Sequence, residues 1–441
     1  MDELFDLPPA ELRPLTPEPP GRPRLMRPDR DQILLRPTDL EHLLAPDHEA
    51  RLVWDFVVAR DLRPFEALIR SVEGHAGRPA IDPAILVTLW LYATLEGVGS
   101  ARALERLCDE HDAYRWICGG VPVNYHTLAD FRVEHAERVE ALLVESIAAL
   151  LVTGEVSLAV VAHDGIRVRA AAGAGSFRGR RGLERAIAAA TAQLAALRNE
   201  LDDDPSATSR RVAAARERAA RERSERVRQA IGVLPALEAV KARTKRPNRP
   251  PSEARVSTTD PEARVMRMAD GGWRPAFNGQ LTTDVGSGLV CGVSVTNSGS
   301  DNGLLGPAMR RLEESFGRHP GAVLADGGFV VLADIEALET CGIAVHAPLP
   351  DTRPGNPPPS ARASDGPGVA AWRERMAGEE GKLAFRARGA SIEWANALAR
   401  NRGLHQFPVR GLAKARAVLL WFGLAHNVAQ ILSRRAAAAP A

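Results

Sequence analysis

The spacing of apolar residues divides this chain into stretches of different period. Asp82 and Pro83 read as an N-cap followed by a first-turn proline. After them, Ile85, Leu86, Leu89, Leu91 and Leu95 predict an apolar, largely buried helix. A helix capped by Ser100 follows through Leu104, Leu107 and Cys108, then a helical stretch around 114–116. Beyond Gly119-Gly120, the run Asn124-Tyr125-His126-Thr127-Leu128-Ala129-Asp130-Phe131-Arg132 reads as a short turn and a new helix. Short helices joined by a glycine-containing turn fit two descriptions, a helix-turn-helix and a small helical bundle.

At 157–170 the period changes to two. Leu158, Val160 and Val161 form a β-prone run, and Ile166 and Val168 alternate with Arg167 and Arg169, which predicts a strand containing Asp164. A small-residue linker at 170–176 leads into a polar insertion. Within it Leu183, Ile187, Ala190, Leu194, Leu197 and Leu201 step by four and three, a heptad stripe on one helix face. Asp202-Asp203-Asp204-Pro205 breaks that helix, and a second is expected over 209–234, making an antiparallel hairpin. Past Pro261 the pattern becomes α/β. Strands are expected at 274–284 and 289–295, then a helix capped by Asp301 and running through Leu304, Met309 and Phe316. A short strand at 322–325 ends in Asp326. A helix at 332–341, a strand at 343–347, a proline-rich loop at 348–368 and a long helix at 381–402 complete the series.

With 441 residues, 45% of them hydrophobic and 25% charged, the chain has material for several packed domains, and global disorder is excluded. The four cysteines are scattered without a CxxC pair, which argues against a disulfide scaffold or structural zinc and fits a reducing compartment. No secretory pattern opens the sequence. The best membrane candidate, 417–432, is shorter than the roughly 20 residues a span needs. It also holds Gly423, His426 and Asn427, so it reads as a buried helix capped or packed by those last two residues. A cytoplasmic protein with no membrane partner is expected.

Net charge, +2, is uninformative as a total. Its distribution is not: 13 basic residues face four acidic ones between Ser209 and Arg249. All but four of the 57 basic residues are arginine, the side chain that grips phosphate bidentately. Helical Glu–Arg pairs account for part of the cluster. They leave Lys241, Arg243, Lys245, Arg246 and Arg249, a patch suited to a nucleic-acid backbone. Residues 1–37, rich in proline and arginine, predict an extended arm.

Three carboxylates stand out by placement. Asp164 lies in Val161-Ala162-His163-Asp164-Gly165, Asp326 ends Val323-Leu324-Ala325-Asp326, and Glu393 is in mid-helix near Arg388, Asn396 and Arg400. Carboxylates in apolar surroundings are costly unless paired or holding a cation. Three on adjacent elements suit two hard divalent ions, which can clamp the attacking and leaving oxygens of a phosphoryl displacement. Asp-Gly is also an ordinary turn dipeptide, as at Asp270-Gly271 and Asp365-Gly366. Strand alternation turns His163 to the opposite face from Asp164, where it packs. Asn278 and Gln280 share one strand face, for hydrogen bonds either to DNA or within the site.

On these residues the chain resembles the DDE transposases of bacterial insertion sequences. The stretches that carry the likeness are Thr259-Asp260-Pro261-Glu262-Ala263-Arg264-Val265-Met266, Ala276-Phe277-Asn278-Gly279-Gln280, Val323 to Phe329, the helix with Glu393, and Asn401-Arg402-Gly403-Leu404 through Ala425-His426-Asn427. The resemblance implies an α/β fold: an RNase H-like mixed sheet with flanking helices, preceded by an all-α N-terminal domain and interrupted by the helical hairpin. It implies Asp164, Asp326 and Glu393 as the catalytic triad holding two Mg²⁺ ions, with Mn²⁺ as a substitute, and no small-molecule cofactor. The family's tyrosine–arginine–glutamate–lysine motif maps to Phe385, Arg388, Glu393 and Arg400, so phenylalanine replaces tyrosine and arginine replaces lysine. Arg388 and Arg400 are expected to contact phosphate or to stabilise charge near the site, and Asn396 to contact phosphate.

The implied activity is Mg²⁺-dependent cleavage at element ends and 3′-OH strand transfer into target DNA. A nuclease without strand transfer and an inactive DNA-binding derivative are the alternatives. Partners are double-stranded DNA, at element ends and target, and a second copy of the chain, in a nucleoid-associated complex. The expected layout is an arm at 1–37, a helical DNA-binding-type domain at 38–152, the first core strand within 153–176, the basic hairpin and linker at 177–255, the rest of the core at 256–434, and a disordered tail at 435–441.

Overall fold

A chain with this pattern needs a fully apolar helix at its centre, and one is found. In a computed structural model describing residues 39–72, 74, 78–203, 207–243, 253–350 and 362–438, every residue of Pro83–Thr94 is buried. Asp82 caps that helix, accepting from Ala84 N at 2.7 Å. Around it are α1 (Glu49–Val58), the short α2 (Arg63–Glu66), α3 itself (Pro83–Leu95), α4 (Ala101–Glu110), α5 (Asp112–Cys118), α6 (Tyr125–Glu134) and α7 (Ala136–Val152). Ser100 caps α4 as expected, and Asn124 caps α6. The glycine turn between α5 and α6 ends α5 in the left-handed conformation at Gly119.

These helices pack together as a small bundle. Arg132 of α6 is buried, its guanidinium over the Trp90 ring and bonded to Gly99 O at 2.7 Å. The positions α6 leaves exposed are His126, Asp130 and Glu134, none of them Lys or Arg.

The sheet is mixed. Its strands are β1 (Val160–Arg169), β4 (Arg264–Arg267), β5 (Trp273–Asp284), β6 (Val290–Thr296), β7 (Ala322–Leu324) and β8 (Ala344–His346); β2 (Phe177–Arg178) and β3 (Val256–Ser257) form a separate pair. The order is β4-β5-β1-β7-β8, with β6 also on β5. Strand β1 runs antiparallel to β5 and parallel to β7, which is parallel to β8. Pro275–Asp284 of β5 is buried throughout, as a central strand requires.

Helices α10 (Leu305–Phe316), α11 (Leu332–Thr340), α12 (Pro367–Ala377), α13 (Glu379–Arg388) and α14 (Trp394–Asn401) flank the sheet, and α15 (Leu412–Ala438) closes the chain. Between α13 and α14, Gly389–Glu393 is a π-helical turn, so the long helix expected at 381–402 is continuous but locally widened. The tail expected to be disordered is helical as far as Ala438.

By length and composition α15 could cross a membrane, yet 72% of its apolar window is buried inside the protein. Its role is to join the helical and sheet halves. Trp421 Nε1 donates to Arg132 O at 3.0 Å, and the Asn427 amide bonds both Val290 N and Val290 O at 2.7 Å. His426 Nε2 meets Gly288 O at 2.9 Å, and burial pushes this imidazole down to about 4. One hydrophobic cluster consequently runs from Leu44 to Ile431.

The insertion is the expected hairpin, α8 (Arg180–Asp203) packed on α9 (Ala207–Arg243). Leu183, Ala190 and Leu197 of the heptad stripe are buried, against Ala220, Val227, Ala230 and Leu234 of the second helix. The expectation that α9 stops at 234 fails: it continues through Pro235 to Arg243. Proline in a helix interior costs about 3 kcal/mol. Leu234 and the neighbouring Leu237 pack there with Leu183, Ala254 and Val256 of the strand region, burial that offsets the cost.

Candidate active site

Register places the first two carboxylates side by side. The last parallel pair between β1 and β7 is Ala162 with Leu324, and Asp164 and Asp326 each lie two residues further on. Asp326 turns the chain, its Oδ1 accepting from Gly328 N at 2.9 Å to cap the turn Gly327–Phe329. Asp164 points toward the widened helix. Its Oδ2 receives Arg388 Nη2 at 2.9 Å and Asn396 Nδ2 at 3.0 Å, while Gly165 N donates to Oδ1 at 2.9 Å.

The same guanidinium binds Glu393, Nη1 to Oε1 at 2.6 Å. Arg388 and Glu393 are five apart, a spacing that an α-helix places on different faces. The π-turn spanning Gly389–Glu393 adds the extra residue that brings them to one face. Arg388 therefore bridges two carboxylates that lie far apart in the sequence.

The electrostatics match a site short of positive charge. Burial pushes the Asp164 carboxyl up from its ordinary value, the Arg388 charge pulls it back, and the nearby negative charge of Asp326 pushes it up again. His163 faces the other way, as expected: Nδ1 lies 2.8 Å from Thr282 Oγ1 and the ring meets Phe329 edge-on. It is buried in that packing, and burial pushes the imidazole down to about 4.

Arg388 and Asn396, both named as phosphate contacts, bond Asp164 in this structure. Arg400 lies on α14 in a separate cleft beside Gly165. Lys241 donates to Glu253 O at 2.8 Å, and Arg243 is exposed at the end of α9. Lys245, Arg246 and Arg249 lie outside the described residues, as do residues 1–37 and the middle of the proline-rich loop.

Asp301 was expected to cap a helix, but α10 begins at Leu305 and Asp301 turns inward. Its Oδ1 accepts from Asn278 Nδ2 at 2.6 Å and Gln280 Nε2 at 3.0 Å, and its Oδ2 pairs with Arg167 at 3.0 Å. Asn278 and Gln280 are thus buried supports of β1, not DNA contacts. The network is packed so closely on the backbone beside Asp164 that a Cβ on Gly165 would stand 2.7 Å from Asp301 Oδ1. One signal in the sequence pointed to it. Two amides on the inner face of an apolar strand need a buried partner.

The donors Asp164, Asp326 and Glu393 are hard oxygens of the kind that hold Mg²⁺. As they stand, among the described residues, no three acidic, histidine or cysteine side chains converge tightly enough to hold a metal ion. The cation between Asp164 and Glu393 is the Arg388 guanidinium.

Fold and site together define a mixed-sheet protein with carboxylates on and beside its central strand β1 and a helical region packed on the sheet. Residues 38–134 match the family model described as Transposase domain (DUF772). That match, confined to the helical N-terminal region, agrees with the resemblance to insertion-sequence transposases. No curated protein and no solved structure matches the chain.

Proposed function

We propose that this chain is a DDE transposase, cutting the ends of an insertion element and joining the freed 3′-OH to target DNA. The observation that carries the reading is Arg388 held between Asp164 and Glu393, with Asp326 at the same level on the adjacent parallel strand. The strand order, three antiparallel strands followed by two parallel ones, supports an RNase H-like core. Two Mg²⁺ ions, or Mn²⁺ in their place, held by Asp164, Asp326 and Glu393 would supply activation of water, then of the 3′-OH, for in-line displacement.

The chain's own residues prepare that site. Asn396 fixes one oxygen of Asp164, and the turn at Gly327–Phe329 fixes Asp326. Arg388 neutralises Asp164 and Glu393, and would be released toward a phosphate if those carboxylates held cations in its place. Arg400 and the basic end of α9 contact the backbone of duplex DNA, at element ends and target. Assembly as a homodimer on paired ends, in the cytoplasm and on the nucleoid, follows from the same reading.

Asp326→Asn tests it. DNA binding should persist while Mg²⁺-dependent cleavage falls to background, and cleavage that survives the change overturns the triad. Joining of a 3′-OH end to a second duplex by the unaltered protein separates a transposase from a nuclease. A protein that binds DNA but neither cuts nor joins it is the inactive derivative.

A further inference from the structure

Beside the carboxylates lies a second, purely basic feature. A cleft of about 330 Å³ is lined by Gly165, Arg167, Arg267, Gly299 and Arg400, among others, with no carboxylate in its wall. Arg167 is held in place from behind, by Asp301 Oδ2 at 3.0 Å and Gly299 O at 3.1 Å. Arg267, on β4, and Arg400, on α14, are exposed and have no acidic partner among the described residues. With Arg167 already paired, Arg267 and Arg400 leave the open volume with an excess of positive charge that an anion would offset. The cleft is also next to the chemistry, because Gly165 adjoins Asp164 in β1.

A large aromatic side chain stands at the same hairpin. Trp273 is the direct cross-strand partner of Arg267 in the β4–β5 register, so the two side chains share a face. It is 68% exposed, unusual for a tryptophan and suited to stacking. Bases within a duplex are already stacked on each other and offer no free face; an unpaired nucleotide does.

We propose that the arginine cleft seats a backbone phosphate of a DNA strand and that Trp273 stacks on an unpaired base of that strand, so that the β4–β5 hairpin grips a frayed or cleaved DNA end. This rests on the transposase reading and adds to it a single-stranded feature as the preferred ligand. The geometry assigns Arg167 and Arg267, with Arg400, to phosphate, and Trp273 to the base.

The test is binding without metal, using the full chain in EDTA and fluorescently labelled DNA. One probe is a blunt duplex and the other the same duplex with a short single-stranded 3′ extension. The unaltered protein should prefer the extended probe by about tenfold, the scale of one stacked base. Trp273→Ala should remove that preference and leave blunt-duplex affinity unchanged, whereas Trp273→Phe should keep most of it. Arg267→Gln should weaken binding of both probes and lower the salt slope by about 1. Both positions are exposed, so unchanged melting temperatures serve as the folding control. Variants that bind both probes as the unaltered protein does overturn the cleft and hairpin assignment while leaving the transposase reading intact. An unaltered protein that binds neither probe overturns both.

Discussion

In α9, Arg221, Arg226 and Arg228 each face a glutamate about one turn away, Glu217, Glu222 and Glu225, on a helix largely open to water. Beside the central strand β1, Arg388, with only 10% of its side chain exposed, is clasped by Asp164 and Glu393. The chemical group is the same and the setting is not. Exposed helical pairs contribute about 0.3–0.5 kcal/mol each, because water screens them and holding two long side chains costs entropy. A desolvated pair adds little over an apolar substitute, yet removing one partner strands a buried charge. Arginine density along the sequence thus points to the hairpin, whereas Arg388, which joins two carboxylates of the site, lies outside that cluster.

The largest effect separating the two regions should come from Arg388→Met. It leaves Asp164 partly buried beside Asp326 and without its counter-charge, and urea unfolding should show a loss of roughly 3–5 kcal/mol. The matched change in the hairpin, Arg228→Met, should stay within about 0.5 kcal/mol. Equal losses at the two positions would erase the distinction.

A smaller contrast is available among the glycines. Gly165 is ringed by Asp301, Gln280 and Asn278, whose polar atoms would lie 2.7, 2.8 and 2.9 Å from an added Cβ, while Gly173 in the linker to the hairpin has nothing within 4 Å. Gly165→Ala should destabilise by about 1–3 kcal/mol through overpacking. Gly173→Ala should change stability by about 0.5 kcal/mol or less. Chemical denaturation of the two variants side by side measures this. A silent Gly165→Ala would mean that the Asp301 network yields easily and does not hold β1 in place.

The features that periodicity made legible were local ones. The apolar run after Asp82, the four-and-three stripe of α8 and the alternation around Asp164 each report their own surroundings, and each element formed where the pattern put it. Asp301 was misread because its partners Arg167, Asn278 and Gln280 come from two other strands, and nothing near it in sequence marks it as buried. The Arg388–Glu393 bridge was invisible for a different reason. An α-helical period places residues five apart on different faces, and only the π-turn at 389–393 unites them. The continuation of α9 through Pro235 shows the third limit, tertiary packing overriding a local breaker. The triad candidates were proposed from resemblance and from the cost of carboxylates in apolar strands; register then explained why Asp164 and Asp326 lie level.

The smallest predicted effect asks what the hairpin charge is for. Glu222 and Glu225 neutralise arginines without touching the packed stripe of Leu183, Ala230 and Leu234. The double change Glu222→Gln with Glu225→Gln should therefore cost no more than about 0.5 kcal/mol per pair lost, near the limit of an unfolding measurement. The same change frees two guanidinium groups for phosphate, so DNA affinity at low salt should rise and should fall again steeply as salt is added. A fold that tolerates the loss while DNA binding gains identifies the arginines of α9 as facing a partner. If the double variant instead unfolds as readily as Gly165→Ala, the hairpin depends on its ion pairs as the site beside β1 depends on Arg388, and exposure alone does not divide the two regions.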